Sequence, residues 1–271
     1  GINDDSADAT EKFLKTIVST KEYPLTKLGN TNSTELAKVL ENSYRAMNIA
    51  FITEWSRFSE ESNVNLYEVV DAIIMRPTHS NLMYPGIGVG GYCLTKDPLL
   101  ASWSKINIFD SELPLHQSEN GVKINDKMPL YAYHFLKKSF GLKSLENKRI
   151  LFLGISYRSN VADTRYSPVE SVYNYCLNDG AQIYLHDPYV AYWEEKKINI
   201  NQDLFSVLEN DIDILIISTS HDEYKNSDQL IHKILKKKKI MILDAVGLFS
   251  KNEILELSSV HKIKVLGRGD L

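Results

Sequence analysis

The second half of the chain alternates between short apolar runs and helical segments, and this alternation constrains the fold more than any other feature. Five apolar runs are typical of buried strands, at residues 148–153, 182–186, 212–218, 240–244 and 262–266. Helical patterns separate them, at residues 169–177, 202–209 and 227–235. Strands that alternate with helices form a parallel sheet covered on both faces. The pattern therefore predicts an α/β domain over residues 146–271.

The first half is predicted to be helical. Residues 33–63 contain neither Gly nor Pro, and apolar side chains recur there at helical spacing, which predicts one long, mostly buried helix. Four further helices are predicted, at residues 9–19, 66–74, 98–105 and 115–139. A helical domain over residues 31–145 is thus expected before the α/β domain.

The composition excludes several classes of protein. With 43% hydrophobic and 24% charged residues and a net charge of -4, the chain suits neither nucleic acid nor an anionic membrane as a partner. The basic run 236–239 is interpreted as a solvated helix end. The chain has two cysteines, its first residues do not form a basic and apolar leader, and no apolar run reaches about 20 residues. These features predict a cytoplasmic location. The chain begins without Met in a capped helix pattern, which predicts that it belongs to a longer protein.

A glycine-rich segment with a cysteine carries the strongest chemical signal. Residues 84–97 read Tyr-Pro-Gly-Ile-Gly-Val-Gly-Gly-Tyr-Cys-Leu-Thr-Lys-Asp. Glycines let backbone amides approach a ligand closely, and a cation or a helix start beside Cys93 favours its thiolate. Lys96 and Asp97 lie within one turn of Cys93. The segment indicates a nucleophilic thiol. The alternative is a buried structural cysteine in a tight turn.

Three of these glycines also match the dinucleotide-binding pattern G-x-G-x-x-G, at Gly86, Gly88 and Gly91. That pattern requires a strand before it and a helix that opens at the third glycine. The surroundings here are predicted to be helical, so the match is rejected.

Two polar side chains on the long helix share one face. Lys38 and Asn42 are four residues apart and therefore lie on the same side of the helix. They are candidate site residues because the rest of the helix is predicted to be buried. A solvated helix face is the alternative.

The strand ends of the α/β domain carry a second candidate site. Gly154 follows the first strand and Asp187 the second, which resembles a degenerate nucleotide-binding half. Arg158 and Arg165 lie in the loop after Gly154, and guanidinium groups suit phosphate recognition. A surface ion pair of Asp163 with a neighbouring arginine is the alternative. No metal is assigned, because no metal-ligand spacing connects the histidines at 116, 134, 186 and 221.

Taken together, these residues resemble the UDP-glucose/GDP-mannose dehydrogenase family. The resemblance rests on residues 35–42 and 44–50, on Pro-Gly-Ile-Gly-Val-Gly-Gly-Tyr-Cys-Leu-Thr-Lys-Asp at 85–97, and on residues 153–165. It implies a central helical dimerisation domain at 31–145 and a Rossmann-like UDP-binding domain at 146–271. Residues 1–30 would then be a remnant of an NAD-binding domain that is otherwise absent.

The resemblance also implies the chemistry. Such an enzyme oxidises the C6 alcohol of a UDP-sugar to the uronic acid in two NAD-dependent steps, through a thiohemiacetal and a thioester on Cys93. Lys38 matches a lysine that stabilises charge on the C6 oxygen, Asn42 matches the partner of that lysine, and Asp97 matches an aspartate that assists water and proton transfer. Sugar and nucleotide contacts are implied for the residues Tyr84, Gly86, Gly88, Gly90, Gly91 and Arg158. Arg165 and Lys96 are implied in NAD binding.

Two departures and two alternatives remain open. Residues 244–248 lack an arginine that many relatives carry after the aspartate. The Val-Gly-Gly-Tyr-Cys form resembles bacterial and archaeal members, many of which act on N-acetylated UDP-hexosamines. One alternative is a non-catalytic nucleotide-binding and dimerisation module, and the other is a dehydrogenase of a different sugar or hydroxy acid. The sequence does not decide between UDP-glucose and a UDP-N-acetylhexosamine.

Overall fold

The structure, a computed structural model, describes residues 1–225 and 227–271. Helices form the first half of the described chain. They are α1 (Asp4–Ile17), α2 (Thr31–Glu61), α3 (Leu66–Ile74), α4 (Cys93–Asn107), α5 (His116–Asn125) and α6 (Met128–Phe140), with a short 3-10 turn at Pro77–His79. None of the described helices has the length and apolar composition needed to cross a membrane.

Capping explains where the first two helices begin. The Asn3 side chain accepts the N–H of Ser6, whose hydroxyl in turn bonds the Asn3 backbone N–H, so α1 begins five residues before the predicted start. Asn30 caps α2 in the same way through the N–H of Ser33. Both starts were predicted too late because asparagine caps precede the apolar pattern.

The predicted helix over 115–139 is wrong, since the structure divides it into α5 and α6. Pro129 lies in the first turn of α6 and has no N–H with which to bond the carbonyl of Asn125, the last residue of α5. A proline in the first turn of a helix is well tolerated, so the new helix begins there.

The prediction that α2 is mostly buried is also wrong for the single chain. Apart from Ile52, its buried face consists of small and polar residues, namely Asn42, Ser43, Ala46, Ala50, Thr53, Ser56 and Ser59. Its larger apolar residues are exposed, including Leu36, Leu40, Tyr44, Phe51, Trp55 and Phe58. Small residues let α4 and α5 pack closely against one side of α2, and the opposite side carries an apolar stripe.

The second half is an α/β domain, as predicted. Its strands are β1 (Arg149–Leu153), β2 (Gln182–His186), β3 (Tyr192–Trp193), β4 (Ile198–Asn199), β5 (Ile214–Ile217), β6 (Met241–Asp244) and β7 (Lys262–Val265). Its helices are α7 (Pro168–Asn178), α8 (Leu204–Val207), α9 (Asp228–Leu235) and α10 (Lys251–Ser258). The hairpin of β3 with β4 was not predicted, nor was α10.

Five parallel strands form one sheet in the order β2-β1-β5-β6-β7. Ile150 and Phe152 pack into a core on one face of this sheet, whereas Leu151 and Leu153 pack into a second core on the other. Each such fully buried side chain contributes about 1.5–3 kcal/mol. The chain reverses its direction of winding between β1 and β5. Ligands of doubly wound sheets bind beyond the strand ends at this switch point.

Backbone hydrogen bonds join the helical half to the α/β domain at two places. Near the end of the chain, Gly267 accepts the N–H of Leu66 at 3.0 Å, and its own N–H donates to Glu60 at 2.7 Å. At the glycine-rich segment, the N–H of Gly91 donates to the carbonyl of Arg165 at 3.0 Å. The second junction brings the segment before Cys93 against the loop that follows β1.

Candidate active site

Cys93 is the first residue of α4, five residues earlier than the sequence predicted a helix. Thr95 holds the first turn, because its hydroxyl donates to the carbonyl of Gly91 at 2.9 Å. The thiol is exposed and therefore accessible to a ligand. Unpaired amides at a helix start carry partial positive charge, which stabilises an anion there.

A chain of four polar side chains connects α2 to α4. Asn42 donates from Nδ2 to Oδ2 of Asp97 at 2.6 Å, and both residues are buried. Lys38 donates to Oδ1 of Asn42 over a longer distance, 3.5 Å. Lys96 donates to the other oxygen of Asp97 at 3.0 Å. We call these four residues the relay. The structure thus brings together four of the predicted site residues from two helices.

The relay has an ordered distribution of charge. Lys38 and Lys96 are exposed at its two ends, and the carboxylate and amide are enclosed between them. The hydrogen bond that Lys96 donates to Asp97 raises the pKa of Lys96. Lys96 therefore remains cationic near neutral pH, and the relay places one lysine on each helix.

The glycine-rich segment packs tightly against the loop after β1. A Cβ atom on Gly90 would lie 2.4 Å from Cβ of Tyr157 and 2.7 Å from the carbonyl oxygen of Tyr166. Gly91 has φ +76° and its Cα faces the Tyr157 ring, so a side chain there would meet that ring at 3.1 Å. Gly90 and Gly91 therefore permit close contact between the glycine-rich segment and the loop after β1.

The remaining predicted sugar-contact residues lie apart from this contact. A Cβ added at Gly86 would have no atom within 4 Å, whereas one at Gly88 would meet Pro168 at 2.4 Å. Tyr84 stacks on Tyr67 with ring centroids 5.8 Å apart, and its hydroxyl donates to Asp71. That hydrogen bond, burial and the Asp71 charge raise the pKa of Tyr84 to about 12.

The two predicted arginines differ in their contacts. Arg165 forms a bidentate pair with Asp163, at 2.9 and 2.7 Å, and lies 5.1 Å from the centroid of the Tyr92 ring. The ion-pair interpretation of Asp163 therefore holds for Arg165. This hydrogen bonding lowers the pKa of Asp163. Arg158 is exposed, and its guanidinium has no ion pair among the described residues.

A cleft of 390 Å³ opens where these parts meet. Tyr92, Lys96 and Asn125 line it from the helical half, and Tyr166 and Glu170 line it from the α/β domain. The Oδ1 atom of buried Asn125 has no hydrogen-bond partner among the described groups. The cleft therefore combines aromatic surface, a cation and a buried acceptor beside the start of α4.

Asp187, the acid of the predicted degenerate nucleotide-binding half, faces the protein interior. It is fully buried, and its carboxylate accepts the backbone N–H groups of Ile155, Ser156, Tyr189 and Val190 at 2.8–3.1 Å. The carboxylate is thus occupied by the protein's own loops. Within the described residues there is no group of three or more His, Cys, Asp or Glu side chains that could hold a metal ion.

These features define the class of the protein. A doubly wound α/β domain presents arginines at its switch point, and a helical region presents an exposed thiol beside a buried amide–carboxylate pair. Ligands of doubly wound α/β proteins bind beyond the strand ends at the switch point, and ligand sites form preferentially at domain interfaces.

Two sequence models of one family match the chain. The central domain of the UDP-glucose/GDP-mannose dehydrogenase family matches residues 32–127, and the UDP binding domain of that family matches residues 151–251. The chain belongs to this family. The resemblance and the mixed α/β fold class inferred from sequence are both confirmed.

Named relatives agree with this assignment. A UDP-N-acetyl-D-mannosamine dehydrogenase of Methanocaldococcus jannaschii is 29% identical over 271 residues, covering 99% of this chain and 58% of the relative. The structure of a UDP-D-ManNAc dehydrogenase from Pyrococcus horikoshii matches with a TM-score of 0.76 and 27% identity, covering 100% of this chain and 59% of its own. The structure of an NDP-N-acetyl-D-galactosaminuronic acid dehydrogenase from Methanosarcina mazei Go1 matches with a TM-score of 0.77 and 25% identity, covering 89% of this chain and 52% of its own. The chain thus spans little more than half the length of these relatives.

Proposed function

We propose that this chain is the catalytic and nucleotide-binding part of an NAD-dependent dehydrogenase that oxidises the C6 alcohol of a UDP-sugar to a uronic acid. The observation that carries the proposal is the relay of Lys38, Asn42, Asp97 and Lys96, which lies in the same helix pair as the exposed Cys93. A family domain without catalytic function has no requirement for a buried carboxylate held by an amide beside an accessible thiol.

In the proposed reaction, Cys93 forms the covalent bond to the substrate and Lys38 stabilises negative charge. The Cys93 thiolate adds to the C6 aldehyde, and Lys38 stabilises the negative charge that develops on the C6 oxygen. Removal of a hydride from the resulting thiohemiacetal gives a thioester on Cys93. Asp97 then accepts a proton from the water that hydrolyses this thioester, and the thiolate leaves as the uronic acid forms. Asn42 holds Asp97 and Lys38 in a fixed relation throughout.

NAD, when bound, accepts a hydride in each of the two oxidations. Lys96 and Arg165 are the residues of this chain that would contact it, since both side chains are 60% exposed and cationic and can bind a diphosphate. The glycine-rich segment follows a 3-10 turn and no strand, so it does not form a dinucleotide fingerprint. We therefore propose that the main NAD-binding domain lies outside residues 1–271. Calorimetry of this chain with NAD is expected to detect scarcely any binding, and tight binding would contradict this part.

The substrate is proposed to be an N-acetylated UDP-hexosamine. Two of the three named relatives are UDP-N-acetyl-D-mannosamine dehydrogenases, and the third is an NDP-N-acetyl-D-galactosaminuronic acid dehydrogenase. Arg158, at the switch point of the sheet, would bind the diphosphate of UDP, and the segment from Tyr84 to Gly91 would enclose the sugar. Mass spectrometry of the products of the complete enzyme from UDP-glucose, UDP-N-acetylglucosamine and UDP-N-acetylmannosamine tests this proposal. Conversion of UDP-glucose alone would contradict it.

The activity is tested by NADH formation in the complete enzyme. Cys93→Ser is expected to abolish turnover, because a serine hydroxyl stays protonated and is a poor nucleophile near neutral pH. Lys38→Ala is expected to lower kcat roughly 100- to 1000-fold, the cost of losing one oxyanion-stabilising group. Cys176→Ala is the matched control, because Cys176 lies fully buried in the sheet core. An inactive Cys176→Ala beside an active Cys93→Ser would overturn the assignment.

The competing proposal is a non-catalytic binding module. The Cys93→Ser and Lys38→Ala variants also distinguish this proposal from an enzyme. A non-catalytic module would bind UDP but form no NADH. Cys93→Ser and Lys38→Ala would then have no activity to lower. Detectable NADH formation by the wild-type enzyme, lost in both variants, excludes a module.

The helical region is proposed to form a homodimer. The apolar stripe of α2 is exposed, with Trp55 packed between Phe51 and Phe58 at centroid distances of 6.0 and 5.8 Å. An exposed aromatic cluster on a long helix is stabilised when a second copy covers it. Leu100 and Trp103 of α4 are exposed as well.

A further inference from the structure

A buried histidine holds the loop that follows β1. His221, in the loop after β5, has no exposed surface. Its Nδ1 accepts the backbone N–H of Asn160 at 2.9 Å, and its Nε2 lies 3.1 Å from Oδ2 of Asp187 and 3.2 Å from Oγ of Ser156. One imidazole ring therefore joins the loop after β5 to the loops after β1 and β2.

The direction of these bonds fixes the tautomer of His221. A backbone N–H donates only, so Nδ1 must present its lone pair to Asn160, and the ring proton is on Nε2. That proton faces the carboxylate of Asp187. Burial opposes the charged form of Asp187, but hydrogen bonds from His221 and from backbone amides outweigh burial and lower the pKa of Asp187. The histidine is thus a neutral bridge between an acceptor and a donor.

Ser156, His221 and Asp187 do not form a nucleophilic triad. In a triad, the serine and the carboxylate occupy different ring nitrogens. Here both lie at Nε2, and the Ser156 hydroxyl donates instead to the carbonyl of Arg158 at 3.0 Å. The ring is also enclosed by two tyrosines, Tyr189 at 5.1 Å and Tyr224 at 5.4 Å between centroids. The cluster therefore has a structural task.

The structural role of the cluster is to fix the backbone on both sides of Arg158. The two residues that contact His221, Ser156 and Asn160, lie two positions before and two positions after Arg158. Asn160 has φ +61° and is further fixed by its side chain, which exchanges hydrogen bonds with Asp222, the residue next to His221. Both sides of Arg158 are anchored, whereas its guanidinium remains exposed. A long charged side chain that projects from a fixed backbone loses less entropy on binding.

We propose that His221 is a positioning residue that holds Arg158 for recognition of the diphosphate of the nucleotide. The inference rests on the proposed function, because it takes UDP as the ligand of this loop. His221 acts through the Asn160 N–H and Asp187, and it does not touch the ligand.

The test uses two variants that each keep one half of the bridge. His221→Gln places an amide N–H near the Nε2 position and keeps the bond to Asp187, but the Asn160 N–H loses its acceptor. His221→Asn places an oxygen near the Nδ1 position and keeps the bond from Asn160, but Asp187 loses its donor. Each variant is expected to weaken UDP binding to this chain about tenfold in calorimetry, the effect of one buried hydrogen bond.

His261 supplies a matched control at the opposite edge of the sheet. It is buried, its Nδ1 accepts the N–H of Ile240 at 3.3 Å, and its Nε2 donates to the carbonyl of Ile234 at 2.9 Å. His261→Gln therefore removes the same kind of bond far from Arg158. It is expected to lower the thermal stability to a similar extent and to leave the Kd for UDP within about twofold.

The effect must also depend on Arg158. In an Arg158→Ala background, His221→Gln is expected to weaken UDP binding no further, because the group that it positions is gone. Additive losses would show a general effect on the domain and would overturn the positioning role. Wild-type UDP binding that His221→Gln leaves unchanged would overturn it too, with the proposed function intact. A wild-type chain that does not bind UDP would overturn both.

The wild-type chain permits a measurement that needs no folded variant. Nitrogen-15 NMR of histidine-labelled chain is expected to show His221 as the Nε2–H tautomer, with both ring nitrogens shifted when UDP is added. An Nδ1–H tautomer, or signals that UDP leaves unchanged, would contradict the inference even if the variants fail to fold.

Discussion

Replacing Asn42 with alanine tests whether the relay is an energetic unit or a coincidence of packing. Asn42 donates to Asp97 at 2.6 Å between two buried side chains. Its removal leaves Oδ2 of Asp97 without a hydrogen bond among the described residues. A hydrogen bond to a charged group contributes about 1.5–3 kcal/mol, so Asn42→Ala is expected to lower the free energy of unfolding by about that amount.

Asn125→Ala is the matched control, since Asn125 also connects a neighbouring helix to α2. Its Nδ2 donates to the carbonyl of Ala46 at 2.9 Å, a neutral acceptor, and its Oδ1 has no described partner. The lost neutral bond costs about 0.5–1.5 kcal/mol, and removal of a buried, unpaired oxygen offsets part of that cost. The same atoms are deleted in both variants, so the difference between them reports the contacts that Asn42 makes with Asp97 and Lys38 and that Asn125 does not make.

Urea unfolding followed by far-UV circular dichroism measures both variants. The midpoint of Asn42→Ala is expected to lie clearly below that of Asn125→Ala, and the kcat of Asn42→Ala in the complete enzyme should fall. Equal midpoints for the two variants would refute the view that Asn42 holds an ionised Asp97.

Three further predictions follow from the same structure. Iodoacetamide at pH 8 should label Cys93 and spare Cys176, whose thiol pKa burial raises to about 12, and peptide mass spectrometry reads out both sites. Trp55→Glu should convert the proposed dimer to a monomer in light scattering at high micromolar concentration; an unchanged mass, or a wild-type chain that is already monomeric, would count against the interface. Asp187→Asn should destabilise the chain at pH 7, because the pKa of Asp187 is lowered in the folded state. That stability is present above the unfolded value of about 3.9 and is lost as pH falls through the lower folded value, so the difference between wild type and variant should shrink below about pH 4 in urea titrations.

The parallel sheet was predictable because its strands are continuous apolar runs. The predicted strand 182–186 coincides with β2, and the other four predicted strands each contain an observed one. Buried parallel strands need apolar side chains on both faces, so the run itself marks the element. The hairpin of β3 with β4 has two residues in each strand and gives no such run.

Helix boundaries were less predictable because caps and prolines determine them. The capping box of α10, in which Ser250 and Glu253 exchange hydrogen bonds, follows the pattern Ser-x-x-Glu, but no apolar run around it predicted a helix there. The start of α4 was placed at Pro98, which suits the first turn of a helix, yet the structure accommodates this proline further inside.

The predicted site residues were found by pattern, but their connections were not. The spacing of Lys38 and Asn42 put them on one face of α2, and only the fold shows that Asp97 meets that face. His221 and Asp187 were missed as a pair because they are 34 residues apart and neither has a motif of its own. Contacts between distant segments depend on sheet order, which a single sequence does not specify.

The contact of Gly90 with Tyr157 has a consequence for domain exchange. One residue precedes the thiol and the other follows the first strand of the α/β domain, and no atom larger than hydrogen fits between them. A chimera that joins the helical half of this protein to the α/β domain of a relative must therefore take the segment around Gly90 and the loop around Tyr157 from the same protein. Evolution faces the same restriction, because a side chain at position 90 would require the backbone at position 166 to move as well as a change at position 157.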